Sequence, residues 1–247
     1  AKMGSAGIVL APTSWFSANA DYWEIRRQGT IQALPLSTIV ANYTLFPSSF
    51  IRDAAGNLVT IDTRWLNAGD TITKGMDLGA KMNGALGPGK FNLSIDGTYL
   101  FDRRSRLVAS AAFGGNEVGT FSRTGDIPVR WKHVAAFSYT LGPWIGTVSQ
   151  NYTMGYQDYV LPGVANGSVK PADWNPNVKP WNVFNIGLAY TGIKNLSIAG
   201  GIKNIFNTDP PFSAAYDSNT GAGSSWEPRI ADPRGRAYWV SASYQFK

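Results

Sequence analysis

The sequence lacks cysteine, contains a single histidine and has few charged side chains. Charged residues make up 15% of the 247 residues, whereas an ordinary soluble domain has about a quarter. Without cysteine the chain forms no disulfides or thiolate metal sites, which suits a protein that crosses an oxidising compartment. The formal net charge is +6, yet no run of Lys or Arg exceeds two residues. A nucleic-acid-binding surface is therefore not expected.

Long apolar runs are missing as well. No segment approaches the roughly 18 consecutive apolar residues that a transmembrane helix needs. The N-terminal stretch "AKMGSAGIVLAP" has neither a charged leader nor an apolar stretch of signal-peptide length, so we expect an exported form to have lost its leader already. Polarity comes mainly from Ser, Thr, Asn and Gly, and 13% of the residues are aromatic.

Alternation of apolar and polar side chains is the strongest pattern that the sequence does contain. In the segment 91–101 every second residue is apolar or glycine, and the segment 184–190 repeats the pattern. In the C-terminal segment, Tyr238, Val240, Ala242, Tyr244 and Phe246 alternate with Trp239, Ser241, Ser243 and Gln245. A period of two with one apolar and one polar face is typical of a half-buried β-strand.

Clusters of Gly, Pro and Asn divide the chain into about nine such strands. The predicted strands lie near 5–12, 15–28, 57–83, 89–104, 129–140, 144–157, 181–192, 195–206 and 236–246. Short turns near 12–14, 84–89, 140–143 and 192–195 alternate with long loops at about 29–56, 105–128, 158–180 and 207–235. All the short turns therefore lie at one end of the predicted sheet and all the long loops at the other.

This asymmetry is typical of outer-membrane β-barrels, which have short periplasmic turns, long extracellular loops and aromatic residues at both interfaces. The sequence thus predicts an all-β fold, a transmembrane antiparallel β-barrel segment. Its apolar phase faces lipid and its polar phase faces a hydrated lumen. Single-chain bacterial barrels have an even number of strands, so an odd count of about nine indicates that residues 1–247 are the C-terminal part of a larger barrel.

Two segments near the C-terminus, "LSIAGGIKNIFNTDPPFSAAYD" and "DPRGRAYWVSASYQF", resemble the C-terminal signature of the TonB-dependent outer-membrane receptors. The segments "ANADYWEI", "WLNAGDTITKGMDLGAKM" and "GDIPVRWKHVAAFSYTLGPW" are similar to the same family. The residues of the signature are Asn204, Phe206, Asn207, Pro210, Pro211, Asp232, Arg234, Gly235, Arg236 and Phe246. The resemblance implies the C-terminal portion of a barrel of about 22 strands, with the plug domain absent from this chain.

The resemblance also implies a location, a function and partners. It places the chain in a Gram-negative outer membrane, as a multi-pass β-barrel in contact with lipid and lipopolysaccharide. The implied function is active transport, in which a receptor binds and imports a scarce nutrient such as an iron-siderophore, cobalamin, an oligosaccharide or a peptide. The implied protein partners are the rest of the barrel, the plug, the TonB complex that contacts the plug, and the barrel-assembly machinery. That machinery reads a terminal strand ending on an aromatic, whereas here Lys247 follows Phe246.

Candidate ligand contacts lie in the loops, where recognition residues gather on a rigid scaffold. The rings of Tyr156, Tyr159 and Trp174 can stack on a planar ligand. Cations that can pair with an anion are Arg103, Arg104, Arg106 and Arg229. The alternative for these residues is a role as interfacial aromatics and as cations that face lipopolysaccharide phosphate. The polar phase, which includes Asn151 and Asn185, is predicted to hydrate the lumen or to bond to a plug.

Catalysis and metal binding have little support in the sequence. The single histidine, His133, shares a phase with Trp131 and Ala135, so it is predicted to face outward near the loop-side interface. An interfacial structural role is favoured over an enzyme, and no cofactor is expected. Asp209, Asp217 and Asp232 share one loop and are calcium candidates, although turn formation beside proline explains them more simply.

Two other classes of protein remain open on the sequence alone. One is a self-contained barrel of about 8–10 strands that acts as a passive pore or an adhesin. The other is a soluble β-sandwich that binds carbohydrate, in which the apolar phase would form a core between two sheets.

Overall fold

The computed structural model describes residues 1–32, 34, 36–67, 69–122, 126–160, 162–168, 170, 175–214 and 225–246. Nine long strands form one antiparallel sheet in which every strand pairs with its neighbours in chain order. The strands are β1 (Lys2–Thr13), β2 (Phe16–Arg27), β3 (Asp70–Leu86), β4 (Gly89–Arg106), β5 (Trp131–Leu141), β6 (Trp144–Thr153), β7 (Trp181–Ile193), β8 (Leu196–Lys203) and β9 (Ala237–Tyr244). The prediction of about nine antiparallel strands is confirmed.

Short and long connections alternate along the sheet, as predicted. Two-residue turns join β1 to β2, β3 to β4, β5 to β6 and β7 to β8. Three of these turns contain a residue in the left-handed region, namely Gly87 (φ 57°), Gly142 (φ 55°) and Asn195 (φ 62°). Glycine and asparagine adopt this conformation at low cost, which explains why they mark the turns in the sequence. The long loops occupy 28–69, 107–130, 154–180 and 204–236.

Three predicted strand boundaries are wrong. The predicted strand 57–83 is two elements, because Leu58–Ile61 pairs with Phe50–Arg52 in a separate hairpin and β3 begins only at Asp70. The predicted strand 144–157 stops at Thr153, and Tyr156–Gln157 pairs instead with Asn177–Val178. The predicted strand 195–206 stops at Lys203, because Asn204 is left-handed (φ 50°) and turns the chain out of the sheet.

The remaining elements are short and lie in the loops. Ile31–Gln32 pairs with Leu66–Asn67. The helices are Leu36–Ala41 and Pro162–Ala165, and single 3-10 turns lie at Tyr43–Leu45 and Pro47–Ser49. No helix within the described ranges is long and apolar enough to span a bilayer.

The strand register sorts the side chains into two faces. One face carries a continuous apolar row in which Leu93, Phe137, Val148, Ile186, Ile202 and Tyr238 are successive cross-strand partners. The opposite face carries Asn92, Ser138, Thr147, Gly187, Gly201 and Trp239 in the same succession. We call the first the outward face and the second the lumen face, because a barrel strand alternates apolar-out and polar-in.

The outward face is not covered by protein. Phe137, Val148, Leu188 and Val240 are all exposed, Val240 at 82%. The buried apolar residues of the described chain are Leu34, Ile39, Phe46, Val118, Ile127, Val129, Tyr156, Val178, Trp181 and Ala231, which lie in the loops or at a loop-side strand end. A β-sandwich would bury these alternating apolar residues between two sheets. The sandwich alternative is therefore wrong.

The chain divides into two compact units by its internal contacts. The first comprises residues 1–4, 24–74 and 102–116, and the second comprises 5–23, 75–101 and 117–247. In the first unit, Leu34, Ile39 and Phe46 form a small core. The second unit contains most of the sheet and a separate loop core described below.

Aromatic rings lie flat over glycines on both faces of the sheet, and Trp239 over Gly201 is the clearest example. A Cβ atom added to Gly201 would lie 2.4 Å from the Ile186 carbonyl oxygen and 2.8 Å from Trp239 Nε1. The indole therefore occupies the space that a side chain on the neighbouring strand would need. A glycine is required at this position because backbone and ring approach so closely.

We expect Gly201→Ala to destabilise the sheet by about 1–3 kcal/mol, the usual cost of overpacking. Gly146→Ala is the matched control, because nothing lies within 4 Å of a Cβ added at Gly146. A folded barrel and its unfolded chain migrate differently on a denaturing gel. The measurement is the temperature at which the folded band is replaced by the unfolded band. Equal melting of the two variants would contradict the close contact.

Candidate functional site

Three loops of the second unit fold together around a shared apolar core. Ile127, Val129, Tyr156 and Val178 form this core, and Phe121 and Ile230 pack against it. Backbone bonds join two of the loops, from the Gln157 amide to the Gly119 carbonyl (2.7 Å) and from the Phe121 amide to the Gln157 carbonyl (2.8 Å). We call this assembly the loop layer. Its core gives it a fixed shape, which a binding surface needs.

A buried carboxylate, Asp158, joins the second and third loops of this layer. The side chain of Asp158 accepts hydrogen bonds from the Ser213 hydroxyl (2.8 Å), from the Ala214 amide and from the Tyr159 amide (2.8 Å). Asp158 is 5% exposed and Ser213 is 2% exposed. A buried carboxylate is tolerated because these donors satisfy it. The bonds fix the segment around Ser213 against the loop that carries Asp158.

A second buried acid, Glu227, binds Arg229 in a bidentate pair. Arg229 Nε lies 2.7 Å from Oε1 and Nη2 lies 2.8 Å from Oε2. The Nη1 atom of the same guanidinium donates to the Ser122 carbonyl (2.9 Å), and the group lies 5.3 Å from the centre of the Phe121 ring. Burial opposes ionisation of Glu227, but the bonds from Arg229 outweigh it and lower the pKa of the carboxyl. The pair thereby joins the first and third loops.

The hydroxyl of Tyr156 is buried in the loop core near Ser213. The residue is only 4% exposed. Burial raises the pKa of Tyr156 to about 12, because the phenolate would lose its hydration. Tyr156 therefore serves the loop core as a neutral side chain.

The C-terminal signature residues shape both ends of the loop between β8 and β9. Asn204 accepts from the Thr208 amide (2.8 Å) and donates to the Thr208 carbonyl (2.9 Å). Asn207, which is left-handed (φ 52°), accepts from the Arg236 amide (2.9 Å) at the far end of the loop. Gly235 is also left-handed (φ 66°), and a Cβ there would lie 2.9 Å from Asn207 Oδ1. The two asparagines and the glycine thus close the loop at its base.

A groove on the lumen face runs beneath the loop layer, along β6 to β9. Its upper part has a volume of about 390 Å³ and its lower part about 570 Å³. The two parts share Asn151, Asn185 and Lys203. The other polar or aromatic lining residues include Thr147, Ser149, Thr153, Trp181, Asp232, Arg234 and Trp239. Hydrogen-bonding groups, two indoles and two cations therefore line a cleft of ligand size.

The polar side chains of the groove are held in place by one another. Asn185 donates to the Ser149 hydroxyl (3.1 Å) and accepts from the Asn204 amide (3.0 Å). Asp232 binds Arg234 through Nε (2.9 Å), and this contact lowers the pKa of the carboxyl to about 2. The prediction that Asn151 and Asn185 lie on the polar face is confirmed by the register.

The structure places the seven predicted ligand contacts in different settings. Tyr156 and Arg229 belong to the loop layer, as described above. Tyr159 is half-buried with its ring 5.8 Å from Phe121. Trp174 lies outside the described residues, as do Asp217 and Lys247. In the first unit, Arg104 is exposed and contacts Asp102 (3.0 Å), while the Arg103 amide donates to Asn116 (3.1 Å). In the same unit, Arg106 Nε donates to the Asp70 carboxylate (2.7 Å). The assignment of all seven to ligand binding stays a prediction.

Lys203, Trp181 and Trp239 also line the groove, although they were not among the predicted ligand contacts. The alternation of β8 contains the signal for Lys203, because Ile202 faces outward and the next residue must face the lumen. Trp239 lies on the polar phase of the final strand together with Ser241 and Ser243. A large aromatic side chain on this polar face is the sequence signal for a contact other than water. No group of three or more metal-ligating side chains occurs within the part of the chain that the structure describes.

Comparison with known proteins defines the class to which this fold belongs. The family model described as TonB dependent receptor-like, beta-barrel matches residues 4–205. The chain therefore belongs to the TonB-dependent receptor β-barrel family, as its C-terminal signature predicted. No curated protein sequence matches the chain.

Solved structures with the same fold are outer-membrane receptors and transporters. The ferric enterobactin receptor PfeA of Pseudomonas aeruginosa is 15% identical with a TM-score of 0.61, over 99% of this chain and 31% of that one. The outer membrane transporter YddB of Escherichia coli is 15% identical (TM-score 0.61; 99% and 32%), and the iron transporter FrpB of Neisseria meningitidis is 13% identical (TM-score 0.56; 99% and 31%). The chain spans about a third of the length of these structures.

We expect Asp158→Asn to loosen the loop layer. The substitution keeps one acceptor oxygen but turns an amide group toward the Ala214 or Ser213 donor, which leaves a buried donor unsatisfied at a cost of about 1–3 kcal/mol. Hydrogen exchange of residues 209–214 measures the loss of protection. The control is Asp232→Asn, whose pair with Arg234 is exposed and contributes little to stability. Equal protection in both variants would contradict the role of Asp158.

Acidification should weaken the contact that joins the loop of residues 204–236 to its neighbour, because this contact depends on ionised Glu227. Because its pKa is lower in the folded chain than its ordinary value of 4.5, the stability that it contributes is present above that value and is lost as the pH falls through the folded pKa. Protection factors of residues 225–231, corrected for intrinsic exchange, should fall between pH 7 and pH 3. Glu227→Gln should be less protected at neutral pH and lose little more on acidification. A pH-independent parent would count against this linkage.

Proposed function

We propose that the chain forms part of the wall and outer loops of a TonB-dependent transporter that imports a scarce nutrient across a Gram-negative outer membrane. The observation that carries the proposal is the groove on the lumen face beneath the self-packed loop layer. Membership of the receptor family supports transport as the class of activity. The solved structures named above are a receptor and two transporters, which agrees with a role in transport.

The chemistry of the groove favours a hydroxyl-rich or anionic nutrient. Lys203 and Arg234 carry positive charge against the single carboxylate of Asp232, so the lining has a net positive charge. Asn151, Asn185 and Thr153 offer hydrogen bonds. Indoles such as Trp181 and Trp239 stack on sugar rings or catechols. An iron-siderophore chelate or an oligosaccharide fits this set, whereas a cationic nutrient would meet unfavourable charge. Cobalamin and peptides remain within the class of nutrients that the family resemblance implies.

The loop residues take two proposed roles. Tyr159, Trp174, Arg103 and Arg104 contact the nutrient as it arrives from outside. Tyr156 and Arg229 act as positioning residues, because Tyr156 is buried in the loop core and the guanidinium of Arg229 is held by Glu227 and the Ser122 carbonyl. This division predicts that the two groups of variants differ in their effect on binding and on loop order.

The partners follow from the same proposal. The plug domain and the TonB complex supply energy coupling, through a TonB box outside residues 1–247. The plug meets the polar lumen face, and lipid and lipopolysaccharide meet the outward face. The barrel-assembly machinery recognises the final strand, where the aromatic Phe246 ends the alternating pattern.

Transport assays on the full-length receptor that carries this chain test the proposal. In a strain that needs the receptor for a candidate siderophore or oligosaccharide, uptake should require both the receptor and TonB. Lys203→Ala should raise the half-saturating concentration about three- to tenfold, as loss of a charge-assisted bond predicts. Lys194→Ala, in the short turn at the opposite end of the sheet, is the matched control.

TonB-independent uptake would contradict the proposal and favour a passive pore. Binding of whole cells to a surface without any uptake would favour an adhesin. If Lys203→Ala and Lys194→Ala have the same half-saturating concentration, the groove does not contact the nutrient. The proposal of TonB-dependent transport would still hold.

A further inference from the structure

The outward face of β5, β6 and β7 is apolar except at three positions. Its residues are Trp131, His133, Ala135, Phe137, Tyr139 and Leu141 on β5, Trp144, Gly146, Val148, Gln150 and Tyr152 on β6, and Asn182, Phe184, Ile186, Leu188, Tyr190 and Gly192 on β7. His133, Gln150 and Asn182 are the three exceptions to an otherwise apolar or aromatic surface. All three strands are fully described, so no further polar residue lies on this part of the face.

These three polar residues meet in one hydrogen-bonded row together with Trp131. Trp131 Nε1 lies 2.8 Å from His133 Nδ1, and His133 Nε2 lies 3.3 Å from Gln150 Oε1. Gln150 Nε2 lies 3.0 Å from Asn182 Oδ1. We call these four residues the outward polar row. Three polar residues on three different strands do not meet by alternation alone, because each could occupy any height along its strand.

The indole fixes the direction of every bond in the row. A tryptophan N–H only donates, so His133 Nδ1 must accept and carries no proton. His133 Nε2 then carries the proton and donates to Gln150 Oε1. The amide of Gln150 donates in turn to Asn182 Oδ1. The amide nitrogen of Asn182 is thus left at the end of the row, and its N–H groups donate to none of the described residues.

The surroundings define the chemistry of that acceptor. The row is flanked by rings, since the His133 ring stacks on Tyr152 at 5.1 Å and Trp131 lies 5.6 Å from His133. No Lys, Arg, Asp or Glu faces outward on these three strands. Amide donors beside aromatic faces without charge suit sugar hydroxyls, whereas a bare phosphate prefers cations.

The position of the row says where such a sugar comes from. Trp131 is the first residue of β5 and Asn182 the second of β7, so the row lies at the loop-side ends of the strands. In a barrel wall this height is the outer interface, where headgroups meet the hydrocarbon. An amide with open donors in hydrocarbon would cost several kcal/mol, so the row belongs at headgroup level.

We propose that the outward polar row binds the saccharide headgroup of an outer-leaflet glycolipid, with the Asn182 amide donating to a sugar oxygen beside the ring of its cross-strand partner Tyr152. The site is on the opposite face of the sheet from the nutrient groove. It rests on the outer-membrane location in the proposed function but is independent of nutrient import.

Asn182→Asp in the full-length receptor separates binding from packing. The aspartate keeps the oxygen that accepts from Gln150, so a merely structural row survives, but the onward donor is lost. The receptor is reconstituted with equimolar lipid A, a glycolipid with a disaccharide headgroup, and phosphatidylglycerol, and retained lipids are measured by native mass spectrometry. We expect the parent to prefer lipid A and the variant to retain about three- to tenfold less of it, the loss of one hydrogen bond. Asn92→Asp makes the same chemical change on the lumen face and should leave retention unchanged.

Three outcomes would overturn the proposal. The first is equal lipid A retention by the parent and Asn182→Asp. The second is an equal fall in phosphatidylglycerol, which indicates general disruption of the lipid contact. The third is full competition by the free disaccharide without acyl chains, which assigns the site to a soluble sugar.

If Asn182→Asp fails to assemble, Trp131→Phe provides the test, because it removes the donor that orients the row and should lower lipid A retention about twofold. Nutrient uptake is measured in the same variants. Normal uptake in a variant that retains less lipid A shows that the lipid site and the transport function are separate.

Discussion

The cross-strand register is the constraint on which the rest of the structure depends. Within a bilayer each backbone N–H and C=O must find a partner in the protein, and a β-sheet meets this demand only through continuous strand pairing. Because side chains alternate with a period of two, one register assigns every residue to lipid or lumen at once. The apolar row from Leu93 to Tyr238 and the polar row from Asn92 to Trp239 are two consequences of the same pairing.

A single sheet has no core of its own, so the loops supply one. Ile127, Val129, Tyr156 and Val178 bury the apolar surface that a soluble protein would place between its sheets. Two buried carboxylates, Asp158 and Glu227, then join the three loops, the second through its pair with Arg229. Breaking either set of contacts would leave a buried carboxylate without its partner, which is costly. The loop layer is therefore a shaped surface above the groove, rather than a set of independent loops.

Polar side chains are also satisfied within the protein on the outward face. Polar side chains are costly toward lipid, and the few that occur on β5 to β7 satisfy one another through a single directed row from Trp131 to Asn182. On the lumen face, polar groups are frequent and lie around a cleft that keeps Lys203 accessible beside Asn151 and Asn185. The two faces thus use hydrogen bonding differently, to complete a lipid-facing surface and to line a hydrated path.

The sequence by itself determined the strand number, the alternation of short turns with long loops, and the two faces, because these follow from local periodicity and from Gly and Asn at left-handed turns. It also determined the family, through residues such as Asn207 and Gly235 whose backbone conformations close one loop. It could not separate Leu58–Ile61 from β3, because an alternating pattern looks the same in a hairpin and in a long strand. The tertiary structure alone decided that Tyr156 is buried, that Arg229 contacts Ser122, that Lys203 adjoins the groove, and that His133, Gln150 and Asn182 meet. Those contacts join residues far apart in sequence, and only the pairing of strands and the packing of loops bring them together.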